Sequence, residues 1–164
     1  MTKTLQEYMA DHSLEKNKRI LALDVGSKYI GLAISDSLQM IASPLSLYQR
    51  KSNALDVAHL SKLVKEYVCC AVLVGLPRNL DGNLSQQGEK ITSFCEKLNQ
   101  GLEVLGTPIV FWDERFSTQA VEKSMISFDF SRKKREELID KLSATYILQG
   151  ALDFLAMKRR QEES

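Results

Sequence analysis

The sequence predicts an α/β protein in which a five-stranded mixed sheet is flanked by helices. Two observations favour this fold class: three strand-like segments follow one another early in the chain, and strand and helix patterns then alternate to its end. Successive strands typically form an antiparallel meander, whereas strand-helix-strand alternation adds parallel strands. With 164 residues, the chain is long enough for one domain with a single good core.

The individual elements are assigned from apolar runs and from helical spacing. Predicted strands are 20–25, 29–35, 45–48, 68–74 and 107–112. Predicted helices are 55–67, 85–98, 118–125 and 131–157. Gly26-Ser27-Lys28 is the expected turn of a hairpin, and the turn residues of 76–82 predict a loop. The polar residues 1–18 are expected to form an N-terminal extension, either an appendage or a docked short helix, before a single domain over 19–160.

Composition excludes few functions. The net charge is +1, with 44% hydrophobic and 26% charged residues, so overall charge neither demands nor excludes a polyanionic partner. No apolar run has membrane-spanning length and no secretory signal opens the chain, so a cytoplasmic protein without a membrane partner is expected. Cys69, Cys70 and Cys95 fit neither a disulfide framework nor a zinc motif and are interpreted as small core residues.

Asp24 is the first candidate functional residue, because it ends the apolar strand that begins at Ile20. Burying an ionised carboxylate costs several kcal/mol unless a partner compensates. A divalent cation or a ligand hydroxyl would be a functional partner. The alternative is that Asp24 caps a tight turn at the strand end.

Asp113 and Glu114 follow the fifth strand, and ligands gather at the carboxyl ends of parallel strands. Strand alternation puts Val110, Trp112 and Glu114 on one side and Asp113 on the other, so only one of the two acids can point with Asp24. The alternative is that either acid caps the helix that follows.

Asp140 stands in line with the apolar stripe of the last helix. The other members of the stripe are Ala144, Ile147, Ala151 and Leu155. An acid on a core face needs a partner, although Asp140 could instead lie past the edge of the stripe and pair with Arg135 or Lys141. Three separated acids suggest a site for hard divalent cations such as Mg²⁺ or Mn²⁺, which serve phosphodiester hydrolysis.

Four motifs together resemble those of the YqgF (RuvX) family, in that family's order and over about residues 19–155. They are 23–33 (LDVGSKYIGLA), 74–82 (VGLPRNLDG), 113–118 (DERFST) and 140–144 (DKLSA) with 147–149 (ILQ). The resemblance implies a ribonuclease H-like fold and a bacterial cytoplasmic nuclease that matures the 5′ end of 16S rRNA. Because the family is similar to RuvC, it also implies a possible Holliday junction resolvase.

The resemblance further implies that Asp24, Glu114 and Asp140 are the catalytic acids and hold Mg²⁺ or Mn²⁺. We choose Glu114 over Asp113 because its longer side chain can reach back over the sheet edge, which leaves Asp113 to cap the next helix. The implied partners are structured RNA (precursor 16S rRNA) or branched DNA, and ribosomal particles, with the protein a monomer or a homodimer.

The expected contacts to nucleic acid come from Lys28, Arg78, Asn79 and Arg115. Arginine can fork onto a phosphate, although Arg115 could equally form a salt bridge to a neighbouring acid. The chain departs from the family pattern in two places. Residues 1–18 extend beyond the usual family start, and residues 83–88 lack the small basic character expected there.

Two alternatives belong to other functional classes. A non-catalytic RNA-binding or ribosome-assembly factor could keep the same fold. Asp24-Val25-Gly26-Ser27 could also be the phosphate loop of an actin-like or sugar-kinase ATPase, but those enzymes need two such domains and 164 residues supply one.

Overall fold

The structure is a computed structural model that describes residues 3–77, 81–113 and 132–163, with side chains in the last segment from Leu142 onward. The strands are β1 (Arg19–Val25), β2 (Tyr29–Ser35), β3 (Ala42–Gln49), β4 (Cys69–Leu76) and β5 (Ile109–Asp113). The helices are α1 (Leu5–Asp11), α2 (Asn53–Glu66), α3 (Gln86–Leu102) and α4 (Arg132–Glu163), and a short 3₁₀ turn spans Glu103–Leu105.

The five strands form one mixed sheet in the order β3-β2-β1-β4-β5. β1, β2 and β3 pair antiparallel as a meander, whereas β4 and β5 run parallel to β1. The predicted mixed five-stranded sheet is therefore confirmed. Because β1, β4 and β5 are parallel, their carboxyl ends lie at the same edge of the sheet.

The sheet buries a core on each face. Leu21, Leu23 and Val25 of β1 pack with α2 and α3 on one face, whereas Ile20 and Ala22 pack with α1 and α4 on the other. This alternation is the two-residue period of a strand, and full burial on both faces explains why β1 and β4 are continuous apolar runs.

Helix α4 crosses the sheet with the apolar stripe predicted for it. Ala144, Ile147, Ala151 and Leu155 are at most 1% exposed. Its C-terminal half lies near the β2–β3 connection, since Gln149 Oε1 accepts the Ala42 N–H at 2.9 Å. That connection is at the opposite end of the strands from the carboxyl end of β1.

The described part of the N-terminal extension contains the short helix α1, which docks on the sheet, one of the two predicted possibilities. Thr4 Oγ1 caps α1 by accepting the Glu7 N–H at 3.1 Å. Leu5 and Met9 are buried against the α4 face of the sheet. The Phe111 N–H donates to the Lys3 carbonyl at 2.9 Å, so this segment also covers the outer edge of β5.

Several boundaries differ from the predicted ones for local reasons. β4 starts one residue later because Val68 has a left-handed φ of 52°. β3 is longer and contains Pro44, which is tolerated because β3 is an edge strand. The predicted helix 118–125 lies outside the described residues. In the described part of the chain, no helix is long and apolar enough to cross a membrane. All three cysteines are buried, as predicted.

Candidate functional site

Asp24 lies at the carboxyl end of β1 on the α4 side of the sheet. Its neighbours Leu23 and Val25 point into the core that holds α2 and α3, so alternation turns Asp24 to the opposite face. The residue is half-buried and not fully excluded from solvent. Asp24 is placed opposite Gly31 of β2, and a carboxylate at this position is accessible to a ligand from the sheet edge.

A depression of about 310 Å³ opens beside Asp24. Its lining residues are Asp24, Gly26, Ser27, Lys28, Tyr29, Gly31 and Leu47. Gly31 pairs with Asp24 on one side and with Leu47 on the other, so a residue without a side chain forms the floor between them. Lys28 and Tyr29 are exposed at the rim. The depression therefore brings one carboxylate and one cation together beside open space.

The turn that carries Lys28 is tightly closed. The Gly26 N–H donates to the Tyr29 carbonyl at 2.8 Å, and a Cβ on Gly26 would come within 2.9 Å of that oxygen. Arg50 contacts the turn twice: its backbone N–H donates to the Lys28 carbonyl at 2.8 Å and its Nη1 to the Gly26 carbonyl at 2.9 Å. Sequence analysis did not identify Arg50 as a site residue, because nothing local marks a contact across 24 residues.

Asp113 ends β5 but faces away from Asp24. Val110 and Trp112 pack on the α4 side, whereas Phe111 packs with α2 and α3. Asp113 shares the parity of Phe111, and its partner on β4 is Leu76, which belongs to the same core as Phe111. The predicted alternation is thus confirmed up to Asp113. Glu114 and Arg115 lie outside the described residues.

A hydrogen bond from α3's cap residue holds Pro77, where the loop after β4 begins. Ser85 Oγ donates to the Pro77 carbonyl at 3.1 Å and accepts the Gly88 N–H at 3.0 Å as the cap of α3. A Cβ on Gly88 would lie 2.7 Å from the same carbonyl oxygen, so glycine permits this approach. The predicted contact residues Arg78 and Asn79 follow Pro77 and lie outside the described residues.

Asp140 belongs to α4, one turn before the buried Ala144, and its side chain lies outside the described residues. Of the predicted metal ligands, Asp24 alone has a described side chain. Within 3–77, 81–113 and 142–163, no three His, Cys, Asp or Glu side chains come together as a metal site.

The fold is the ribonuclease H-like fold of RuvC resolvases, as the sequence predicted. Thermus thermophilus RuvC in complex with a Holliday junction substrate aligns with a TM-score of 0.56, covering 85% of this chain and 96% of RuvC at 12% identity. A second Thermus thermophilus RuvC structure aligns with a TM-score of 0.52 at 14% identity. At such identities the likeness shows the fold alone.

Sequence similarity then gives the family. The RuvX family model, described as a Holliday junction resolvase, matches residues 18–154. A relative from Caldanaerobacter subterraneus is 49% identical over 136 residues, which are 82% of this chain and 96% of the relative. A relative from Clostridium novyi is 44% identical over 135 residues, 82% of this chain and 98% of the relative. Both relatives are named as proposed pre-16S rRNA nucleases. The chain belongs to the RuvX family.

Proposed function

We propose that the protein is a metal-dependent nuclease that hydrolyses phosphodiester bonds at the 5′ end of precursor 16S rRNA, in the cytoplasm. The observation that carries this proposal is Asp24, a half-buried carboxylate beside an open depression at the sheet edge where parallel strands end. Membership of the RuvX family and the names of its relatives support the reaction and the substrate.

Strand alternation supports Glu114 rather than Asp113 as the second catalytic acid. Trp112 packs on the α4 side, which is also the side of Asp24, and Asp113 has the opposite parity. If the alternation continues for one residue, Glu114 returns to the side of Asp24. This reason is independent of side-chain length, on which the sequence argument depended.

The length of α4 supports Asp140 as the third acid. Gln149 contacts Ala42, which pairs with Ser35 of β2, whereas Asp24 pairs with Gly31 of β2. Ser35 lies four residues after Gly31, a distance of about 13 Å along the strand. Asp140 precedes Gln149 by nine residues, a rise of about 13.5 Å along the helix. The two distances are similar, so Asp140 would come level with Asp24 if α4 runs along the strands toward the carboxyl end of β1.

Three carboxylates fit a hard divalent cation, because oxygen-only donor sets suit Mg²⁺ and Mn²⁺. A bound ion would supply an activated water and would balance the charge of the phosphate. The chain's own contribution is to hold the acids on rigid elements and to offer cations to the nucleic-acid backbone. We assign that second role to Lys28 at the rim of the depression and to Arg78, Asn79 and Arg115.

Branched DNA is a second candidate substrate, because the RuvX family model is described as a Holliday junction resolvase. Cations report phosphate and not the sugar, so the same site serves RNA and DNA. We propose structured RNA first because the relatives that match most of this chain are named for it. Either substrate can be bound by a monomer or by a homodimer.

The test is cleavage of a 5′-extended 16S rRNA precursor and of a four-way DNA junction, each with Mg²⁺ or Mn²⁺. The wild-type protein is expected to cleave the RNA at its 5′ extension, and Asp24→Asn is expected to cleave nothing while keeping its circular dichroism spectrum. Asp153→Asn is the matched control, because Asp153 is an exposed acid on the C-terminal half of α4. It should retain full activity.

Each contrary result has a distinct meaning. A fully active Asp24→Asn protein would refute the catalytic assignment. Cleavage of the junction without cleavage of the RNA would mean that branched DNA, and not precursor rRNA, is the substrate. RNA binding by wild-type protein without cleavage under any metal condition would favour the non-catalytic assembly factor.

A further inference from the structure

We infer that Arg50, held by Asp56, is a positioning residue that fixes the Gly26–Lys28 turn beside Asp24 and so sets the affinity of the site for the nucleic-acid backbone. This inference rests on the proposed function, because it assigns Lys28 to phosphate binding. Arg50 and Asp56 are residues that the family resemblance did not assign to the site.

The anchor is Asp56, a carboxylate in the first turn of α2 that is only 1% exposed. Its Oδ1 accepts the Tyr48 hydroxyl at 2.9 Å and the Lys51 N–H at 3.0 Å, and its Oδ2 accepts Arg50 Nε at 3.0 Å. Three donors therefore satisfy a buried charge, which fixes the position of the guanidinium.

Arg50 uses its remaining donors on neighbouring elements. Nη1 donates to the Gly26 carbonyl at 2.9 Å and Nη2 to Asn53 Oδ1 at 3.2 Å. The guanidinium also lies 4.7 Å from the centroid of the Phe94 ring on α3. With the backbone N–H donating to the Lys28 carbonyl, one residue holds both ends of the turn. Lysine could not reproduce this planar fork.

Stability alone is a poor explanation for this arrangement. Apolar residues of similar volume often stabilise a fold as well as a buried ion pair does. The ion pair also fixes the orientation of the guanidinium, because each N–H donor of Arg50 requires its acceptor at one position. Gly26 is two residues after Asp24, and Lys28 follows on the same turn. Fixing the turn therefore fixes, relative to Asp24, the backbone from which the Lys28 side chain extends.

The test is a double-mutant cycle of Arg50→Lys and Lys28→Gln, measured as KM and kcat on the precursor RNA. Each single variant is expected to raise KM about tenfold, with a smaller effect on kcat. If Arg50 acts through Lys28, adding Arg50→Lys to Lys28→Gln should change KM by less than about twofold. Independent effects that multiply to about a hundredfold would overturn the inference, as would an unchanged KM for Arg50→Lys.

Arg19→Lys is the matched control. Arg19 also lies over an aromatic ring, 5.9 Å from the centroid of Tyr67, but at the start of β1, far from the turn. The same substitution there should leave KM unchanged. An equal rise in KM for both variants would show that loss of any arginine–aromatic contact weakens binding, and it would refute a specific role for Arg50.

Hydrogen exchange tests, without any enzyme assay, whether Arg50 holds the Gly26–Lys28 turn in place. In Arg50→Lys, the amides of 26–29 should exchange faster, whereas those of β4 should keep their wild-type rates. Unchanged exchange in the turn, or faster exchange throughout the sheet, would contradict local positioning. If the wild-type protein is inactive but the turn still exchanges faster in Arg50→Lys, the proposed function is refuted. The structural role of Arg50 in holding the turn would then still stand.

Discussion

Replacing Asp56 with alanine is expected to destabilise the fold by about 3–5 kcal/mol, the range for breaking a buried ion pair. The substitution removes the acceptor of three donors at once: the Tyr48 hydroxyl, the Lys51 N–H and Arg50 Nε. A buried donor left without a partner costs about 1–3 kcal/mol. The Arg50 side chain is 19% exposed, so water can satisfy part of its loss and the sum stays below the maximum for three donors.

This loss is a large share of the stability of a domain, which is about 5–15 kcal/mol. For a chain of this size, each kcal/mol lowers Tm by about 2–4 °C, so a decrease of about 6–20 °C is expected. The measurements are urea denaturation and thermal melting followed by circular dichroism.

The control is Asp153→Ala, at an exposed acid whose contact is the Gln149 side chain at 3.1 Å. It should change stability by less than about 0.5 kcal/mol. A change below about 1 kcal/mol for Asp56→Ala would refute the reasoning, because it would mean that the three donors find water or other partners at no cost.

The stability difference between wild type and Asp56→Ala is expected to depend on pH. Burial alone would raise the pKa of Asp56, but the hydrogen bonds from Lys51, Arg50 and Tyr48 outweigh burial and hold the pKa below its ordinary value. A lowered pKa contributes stability that is present above the unfolded pKa of about 3.9 and is lost as the pH falls through the folded value. The difference between wild type and Asp56→Ala should therefore shrink below about pH 4.

Three further substitutions or treatments have defined outcomes. Gly150→Ala should stabilise α4 by about 0.5–1 kcal/mol, because its Cβ would meet Trp112 at an ordinary 3.4 Å; a lower Tm would contradict this. Burial raises the pKa of Cys69 and Cys95 to about 12, so a thiol reagent at pH 8 should label neither until urea is added. Deleting residues 1–17 should lower Tm by several degrees, and an unchanged melting curve would argue against their docking.

The sheet could be predicted from sequence because its strands are distinct in composition. β1 and β4 are buried on both faces, so they appear as uninterrupted apolar runs between turns. The start of β4 could not be predicted, because Val68 is β-branched and resembles a strand residue, while its left-handed φ depends on how α2 ends. The length of β3 was underestimated because Pro44 suggests a boundary, whereas an edge strand accommodates it.

The candidate site was predicted in part. Asp24 is conspicuous because an acid at the end of an apolar strand is costly, and its position at the carboxyl edge follows from the topology. Arg50 and Asp56 could not be identified, since the sequence shows an ordinary charged loop and a helix start. Arg50 reaches the Gly26 carbonyl only in the folded hairpin, and Asp56 holds Arg50 there. The assignments of Glu114 and Asp140 stay predictions.

The segment before β1 has a consequence for how the protein behaves at high concentration. Sheet edges with unpaired N–H and C=O groups can pair with another chain and nucleate aggregation. Lys3 and Thr4 cover the edge at Phe111, and at the other edge Pro44 removes one donor from β3. Residues 3 and 4 lie outside the region 18–154 that the family model matches. The extension therefore leaves less of the β5 edge open to pairing with a second chain.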